Sequence, residues 1–181
     1  MMYPFKYRFM GIETILIWQT GENQKDVFRI DPSTNELVAG NSVDELRNIL
    51  GDESNLVEWL EEGEVDFDVF WKWLDRLKAG SASSTKTCTV LLECWNFLED
   101  LGETFGCDLK RLKSPRLKKI YSKLYYGNNL PSVTPEGKTY NPIWEHEEVE
   151  EFKKEMKLIW KLFLESGYIR YQPGRVSQVA R

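Results

Sequence analysis

Histidine and cysteine are scarce in this chain: His146 is the one imidazole, and Cys88, Cys94 and Cys107 are the only thiols. Three cysteines without a Cys-x-x-Cys pair build no disulfide framework, and one histidine completes no Cys/His zinc site. The thiols read as small buried hydrophobes in a reducing cytosol. Long apolar runs are missing too. No stretch approaches the roughly 18 apolar residues of a membrane span, and Met1-Met2-Tyr3-Pro4-Phe5-Lys6 does not begin a signal peptide. A soluble, cytoplasmic protein with no membrane contact is expected. A Gly-rich phosphate loop, a G-x-S-x-G elbow, an H-E-x-x-H helix and a dinucleotide fingerprint are all lacking. The nearest approach to a catalytic group is Glu145-His146-Glu147-Glu148, with Glu150 four residues beyond His146. Adjacent residues on a helix do not face each other, so this run reads as an acidic first turn favoured by the helix dipole. No Asp-x-Asp-x-Asp-Gly loop offers calcium ligands. The expectation is a protein that is not an enzyme and has no cofactor and no metal; a small hydrolase with dispersed carboxylates, whose geometry only the fold could set, is a distant third class.

What is present is a globular composition. Of 181 residues, 41% are hydrophobic, 13% aromatic and 29% charged, enough to offset the ordering entropy that keeps polar chains disordered. Phe5, Tyr7 and Phe9 alternate with Lys6 and Arg8, and Ile12 to Gln19 is apolar on both faces, which predicts two strands, or one bulged at Gly11, with the second central to a sheet. Asp26–Asp31 and Glu36–Ala39 read as two more strands around a Pro32–Asn35 turn. Ser42 and Glu45 form a capping box for a helix that Gly51 ends. Phe67, Phe70, Trp71, Leu74 and Leu77 mark a second helix, and Gly80–Ser84 a flexible connector. From Val90 to Phe105 apolar residues cover most of a helical circumference, which predicts the central helix. Ser114-Pro115 starts a fourth helix that Gly127 ends; Asn128–Pro142 is a loop; Val149, Phe152, Met156, Ile159, Trp160 and Phe163 line a fifth. The expected fold is α+β: an N-terminal antiparallel β-meander packed on one face by several α-helices, in a single domain over residues 1–167, with 168–181 a flexible C-terminal tail.

Charge is unevenly spread. Residues 1–103 carry a net −11 and residues 104–181 a net +6. Asp52, Glu53, Glu58, Glu61, Glu62, Glu64, Asp66 and Asp68 fall within 17 residues that hold no Lys or Arg. Like charges inside a Debye length of about 8 Å repel, so a basic partner or the chain's own basic helix is expected to neutralise them. Trp59, Val57, Leu60 and Phe67 interleave the acids, and aromatic anchors in a one-signed patch suit a protein–protein hot spot. A solvated face assisted by the helix dipole is the plainer reading. The basic counterpart is Lys110, Arg111, Lys113, Arg116, Lys118, Lys119 and Lys123, with Tyr121, Tyr125 and Tyr126 among them. Such a mixture could follow a phosphate backbone and stack bases, which makes a nucleic-acid-binding or regulatory adaptor the alternative function. A pI near 5.1 argues against nucleic acid as the partner.

The layout F-K-Y-R-F-M-G-I-E-T-I-L-I-W, then D-V-F-R-I-D, then S-V-D-E-L-R-N-I-L-G, then an acidic aromatic segment and several helices, resembles the immunity proteins of bacterial contact-dependent growth inhibition and related polymorphic toxin systems. The resemblance spans residues 3–80 in style and the remainder loosely. It implies a cytosolic, non-enzymatic protein whose partner is a cognate toxin domain, often a basic nuclease, blocked by occlusion of its active or substrate-binding surface.

Overall fold

The alternation of aromatic and basic side chains from Phe5 to Phe9 is the period-two pattern of a strand with one buried face. In the computed structural model, which describes residues 1–21, 24–59 and 63–169, β1 runs over Met2–Phe9 and β2 over Ile12–Gly21. They pair antiparallel from Met2↔Gln19 to Phe9↔Ile12. Met10 and Gly11, at φ 53° and 73°, make the turn between them, a left-handed pair whose twist suits a two-residue hairpin. Glycine enters that region freely; Met10 does not, and the Asp68 carboxylate holds it there by accepting the N–H groups of Met10 at 2.7 Å and Gly11 at 2.8 Å.

On the far side of β2 lie β3 (Gln24–Phe28) and, at Ile15 and Leu16, β6 (Ala39–Gly40). β4 (Ile30–Asp31) and β5 (Glu36–Leu37) form a separate antiparallel pair. The expected strands 26–31 and 36–39 are thus each divided, because the chain leaves the main sheet at Arg29 for the Pro32–Asn35 turn and rejoins it at Ala39. A further strand, β7 (Gly63–Asp66), lies inside the acidic segment and pairs parallel to β1, Phe5 opposite Gly63 and Arg8 opposite Asp66. The main path is β3-β2-β1-β7, a meander with one parallel edge.

Ile15, Leu16 and Ile17 are all buried, so β2 is covered on both faces. Ile15 and Ile17 meet Met2, Val38, Leu46 and Val57 under α1 (Val43–Leu50), while Leu16 belongs to the larger core with Tyr7, Phe28 and the later helices. Helices therefore flank the sheet on two sides, not one. Ser42 Oγ accepts the Glu45 N–H at 3.2 Å, and the Glu45 carboxylate closes back on the Asn41 N–H at 2.7 Å, a capping box shifted by one residue.

The larger core is built by α2 (Phe67–Arg76), α3 (Thr85–Thr104), α4 (Pro115–Gly127) and α5 (His146–Glu165). α3 is central, touching the sheet and the three other helices. Its Phe97 lies among the rings of Phe5, Tyr7, Phe28 and Phe67 at centroid separations of 5.7, 5.7, 4.9 and 5.3 Å. Each fully buried ring of this kind is worth about 1.5–3 kcal/mol, and here the rings fasten β1, β3 and α2 to α3. Two expectations need correction. The Gly80–Ser84 connector is pinned: Gly80 donates to the Trp144 carbonyl at 2.9 Å, Ser83 to that of Pro142 at 3.0 Å, and the buried Trp144 Nε1 to Ser83 Oγ at 2.7 Å. The expected tail also begins too early, since Tyr168 stacks on Phe105 with centroids 3.6 Å apart and Ile169 is buried; residues 170–181 lie outside the described residues.

Candidate functional site

The described acids of residues 52–68 are divided among separate elements. Asp52 and Glu53 sit in a 3₁₀ turn, Gly51–Leu56, where Glu53 pairs with Arg29 at 2.8 Å. Glu58 is exposed, and its N–H extends the β1 edge by donating to Met2 O at 2.9 Å. Trp59 is half-buried against the smaller core: its Nε1 donates to Ser54 O at 2.9 Å and the Arg47 guanidinium lies 4.9 Å over its ring. Asp66 caps α2 through the Val69 N–H at 2.9 Å and faces Arg8 at 3.6 Å. Asp68 clamps the β1–β2 turn. These last two carboxylates are structural, and the dipole of α2 favours both. Glu61 and Glu62 lie outside the described residues.

Most of the basic residues have partners of their own, and among the described residues these are not the acids of 52–68. α5 presents Glu148, Glu151 and Glu155, preceded by Glu145, along the side that meets α4. Arg111 reaches Glu155 at 2.9 Å, Arg116 reaches Glu151 at 2.6 Å, and Lys119 reaches Glu145 at 2.8 Å and Glu148 at 3.1 Å. Lys123 meets the buried Glu148 at 2.6 Å and also donates to Ile143 O. Lys110 pairs locally with Asp108 at 3.1 Å, and Lys113 lies near enough to Glu99 to favour its ionised form. Lys118 has no ion pair among the described residues. Neutralisation of α4 therefore comes from α5 and from Glu145 just before it.

One acidic residue of the segment, Glu64, enters a constellation that sequence reasoning missed. A cleft of about 450 Å³ opens beside the sheet where β1, β2, β3, β7, α3 and α4 meet. Its carboxylates are Asp26, Glu64, Glu93, Glu99 and Asp100; its rings are Phe5, Trp18, Phe97 and Tyr121; Gly63 and Asn96 complete the lining. Gly63 is needed there because a Cβ would run into the Phe5 ring. Asp100 accepts from Trp18 Nε1 at 3.1 Å and Asn96 from the Tyr121 hydroxyl at 3.1 Å. Among the described residues neither lysine nor arginine lines the cleft and none of the five carboxylates has a cation within 4 Å, but Arg8 lies near enough to Glu64, and Lys113 to Glu99, for their charges to interact. The polar stripe Glu93, Asn96, Glu99 and Asp100 on the otherwise apolar α3 was the available signal.

The electrostatics follow from that crowding. Burial raises the Asp100 carboxyl to about 7 against the opposing Trp18 hydrogen bond, and Asp26 and Glu99 add to the rise. Burial also raises Glu93, helped by the charge of Glu64, and raises Glu99 despite Trp95 and Lys113. No group of three or more His, Cys, Asp or Glu among the described residues converges as metal ligands would. No described helix is long and apolar enough to cross a membrane. Comparison with protein-family models, curated proteins and solved structures finds no match to this chain.

Proposed function

We propose that this chain is an immunity protein, which binds a basic cognate toxin domain of the nuclease kind in the cytoplasm and neutralises it by occluding its active or substrate-binding surface, without catalysis. The observation that carries the reading is the segregation of charge. Arg116, Lys119 and Lys123 of α4 are engaged by carboxylates of α5, whereas the cleft beside β7 gathers carboxylates among aromatic rings with no lysine or arginine in its described lining. A nuclease is positive where it meets phosphates, so such a surface competes for that ground: like-signed acids steer the encounter, and rings that lose water on contact slow the release. The same segregation weighs against the adaptor reading, since a helix whose cations already hold carboxylates releases few counterions from a nucleic acid.

The test is capture on the immobilised chain from a bacterial lysate of its source at low salt, with stepwise elution, followed by expression of the captured domain alone and together with this chain. A single basic protein, held one-to-one through high salt, that arrests growth alone and not in the pair is the expected result. Capture of nucleic acid, or of a protein whose expression is harmless, overturns the reading.

A further inference from the structure

We infer that a second cavity, which shares no described lining residue with the cleft, binds a small organic amine in its ammonium form. The immunity reading is not needed for it. The cavity holds about 470 Å³ where β1, β2, β5 and β6 meet the residues that start α1 and the C-terminal ends of α3 and α5, a volume within the range of small-molecule sites. Ile12 and Leu16 of β2, Leu37 of β5 and Ala39 of β6 make part of the lining apolar, and Phe105 and Tyr168, stacked on each other, stand beside them. Hydrogen-bond polarity selects the head group. The hydroxyls of Tyr7, Thr14 and Ser166 and the amides of Asn35 and Asn41 each offer an acceptor oxygen. Two carboxylates, Glu36 and Glu45, add to these, whereas lysine, arginine and tryptophan, whose side chains only donate, are absent from the described lining. A ligand head that brings donors and no acceptor matches such a wall; a phosphate or a carboxylate does not.

The field selects the same sign by an independent route. α3 and α5, of 20 residues each, both end at this cavity, with Phe105 the C-cap of one and Ser166 that of the other. Each helix brings the negative end of its dipole, roughly half an elementary charge, and favours a cation at its last turn. That pull requires no free carboxylate: Glu45 already accepts the Asn41 N–H at 2.7 Å, and Glu36 has a partner of its own. Tyr7 is buried, and its hydroxyl and that of Thr14 are hydrogen-bonded to each other, which holds both oxygens in place with lone pairs to spare. A bare metal ion does not suit the site, since among the described residues no three His, Cys, Asp or Glu converge and the apolar lining would be left without a partner. A primary ammonium on a carbon body satisfies both halves of the lining, with three N–H donors for the oxygens and an apolar remainder for the leucines and rings.

The experiment titrates the full chain, labelled with ¹⁵N, at pH 7 with three probes of one shape: phenethylamine, 2-phenylethanol and phenylacetate. The backbone N–H signals of Thr14, Gly40 and Gly167 report on the cavity. Phenethylamine is expected to shift all three saturably, with a Kd about tenfold or more below that of 2-phenylethanol, and phenylacetate to leave them in place. Ser166→Lys sets a fixed cation at the end of α5, where the helix dipole welcomes it, so the variant stays folded and should weaken phenethylamine binding about tenfold. Thr14→Val, which removes one acceptor at a strand position that suits valine, should weaken it as well. Ser122→Lys, the same change at an exposed position of α4, should leave it unchanged. Signals that do not move with phenethylamine, equal affinity for the alcohol, phenylacetate bound as tightly as the amine, or a Ser122→Lys loss as large as that of Ser166→Lys overturns the inference.

Discussion

Asp68 shows how much one carboxylate does in this fold. Its two oxygens take the N–H groups of Met10 and Gly11, so a residue at the start of α2 fixes the β1–β2 turn and holds Met10 in a left-handed conformation that methionine seldom adopts. Asp68→Ala should cost about 1 kcal/mol, the net worth of such bonds at an exposed site, read as a lower urea midpoint with an unchanged denaturant slope. Asp100 works in the opposite sense. Its folded carboxyl titrates near 7, above the unfolded value near 3.8, so the folded state binds the proton more tightly. The stability tied to that proton is full below the unfolded value and is lost as pH rises through the folded one. The groups that face it are Trp18 from β2, Asp26 from β3 and Glu99 on its own helix, with the Lys25–Glu103 pair one turn further along α3. Asp100→Asn keeps an acceptor for Trp18 and removes the charge. The variant should therefore be more stable than the parent at pH 8, with the difference shrinking at pH 5, in parallel urea titrations at the two values.

Between elements, the α4–α5 seam is held by a ladder of unlike charges at helical spacing. Glu148 is its buried rung. Burial alone would raise its carboxyl, but the Glu145 N–H and the Lys123 and Lys119 ammoniums outweigh it and hold it below the usual range. That contribution is present above the usual carboxyl range and fades as pH falls through the lowered value. Glu148→Gln leaves Lys123, itself largely covered, without its counter-charge, and should destabilise by about 2–3 kcal/mol at pH 7 in chemical denaturation. Gly127 closes the other end of α4 against α3 and the following loop: a Cβ there would meet Cys88 Sγ at 2.5 Å and Pro142 Cδ at 3.0 Å, so Gly127→Ala should lower the thermal midpoint. The helices of this seam were legible in the sequence because caps and stripes are local: Ser114-Pro115 starts α4, and Val149, Phe152, Met156, Ile159 and Phe163 are all buried as their spacing predicts. β7 was not legible, since of its four residues only Val65 is buried and its partner β1 lies at the far end of the N-terminal half. The cleft was hidden for the same kind of reason. Its carboxylates come from three separate elements, and only Glu64 belonged to the run that composition singled out.

At the scale of the molecule, charge has a direction. The seam between α4 and α5 pairs its charges internally, while the cleft beside β7 is lined by carboxylates, so a basic partner of the kind proposed would meet a field that orients it before contact. Reversing Glu58 and Glu64 to lysine should lower the association rate of the captured partner by about tenfold at low salt and flatten its dependence on ionic strength, with a smaller effect on dissociation, as stopped-flow or surface measurements would read. The placement of β1 has another consequence. It precedes the other described strands in the chain, yet one of its edges is completed only by β7, after α1 and the first part of the acidic segment have been made. Until then that edge is an open template for any extended chain.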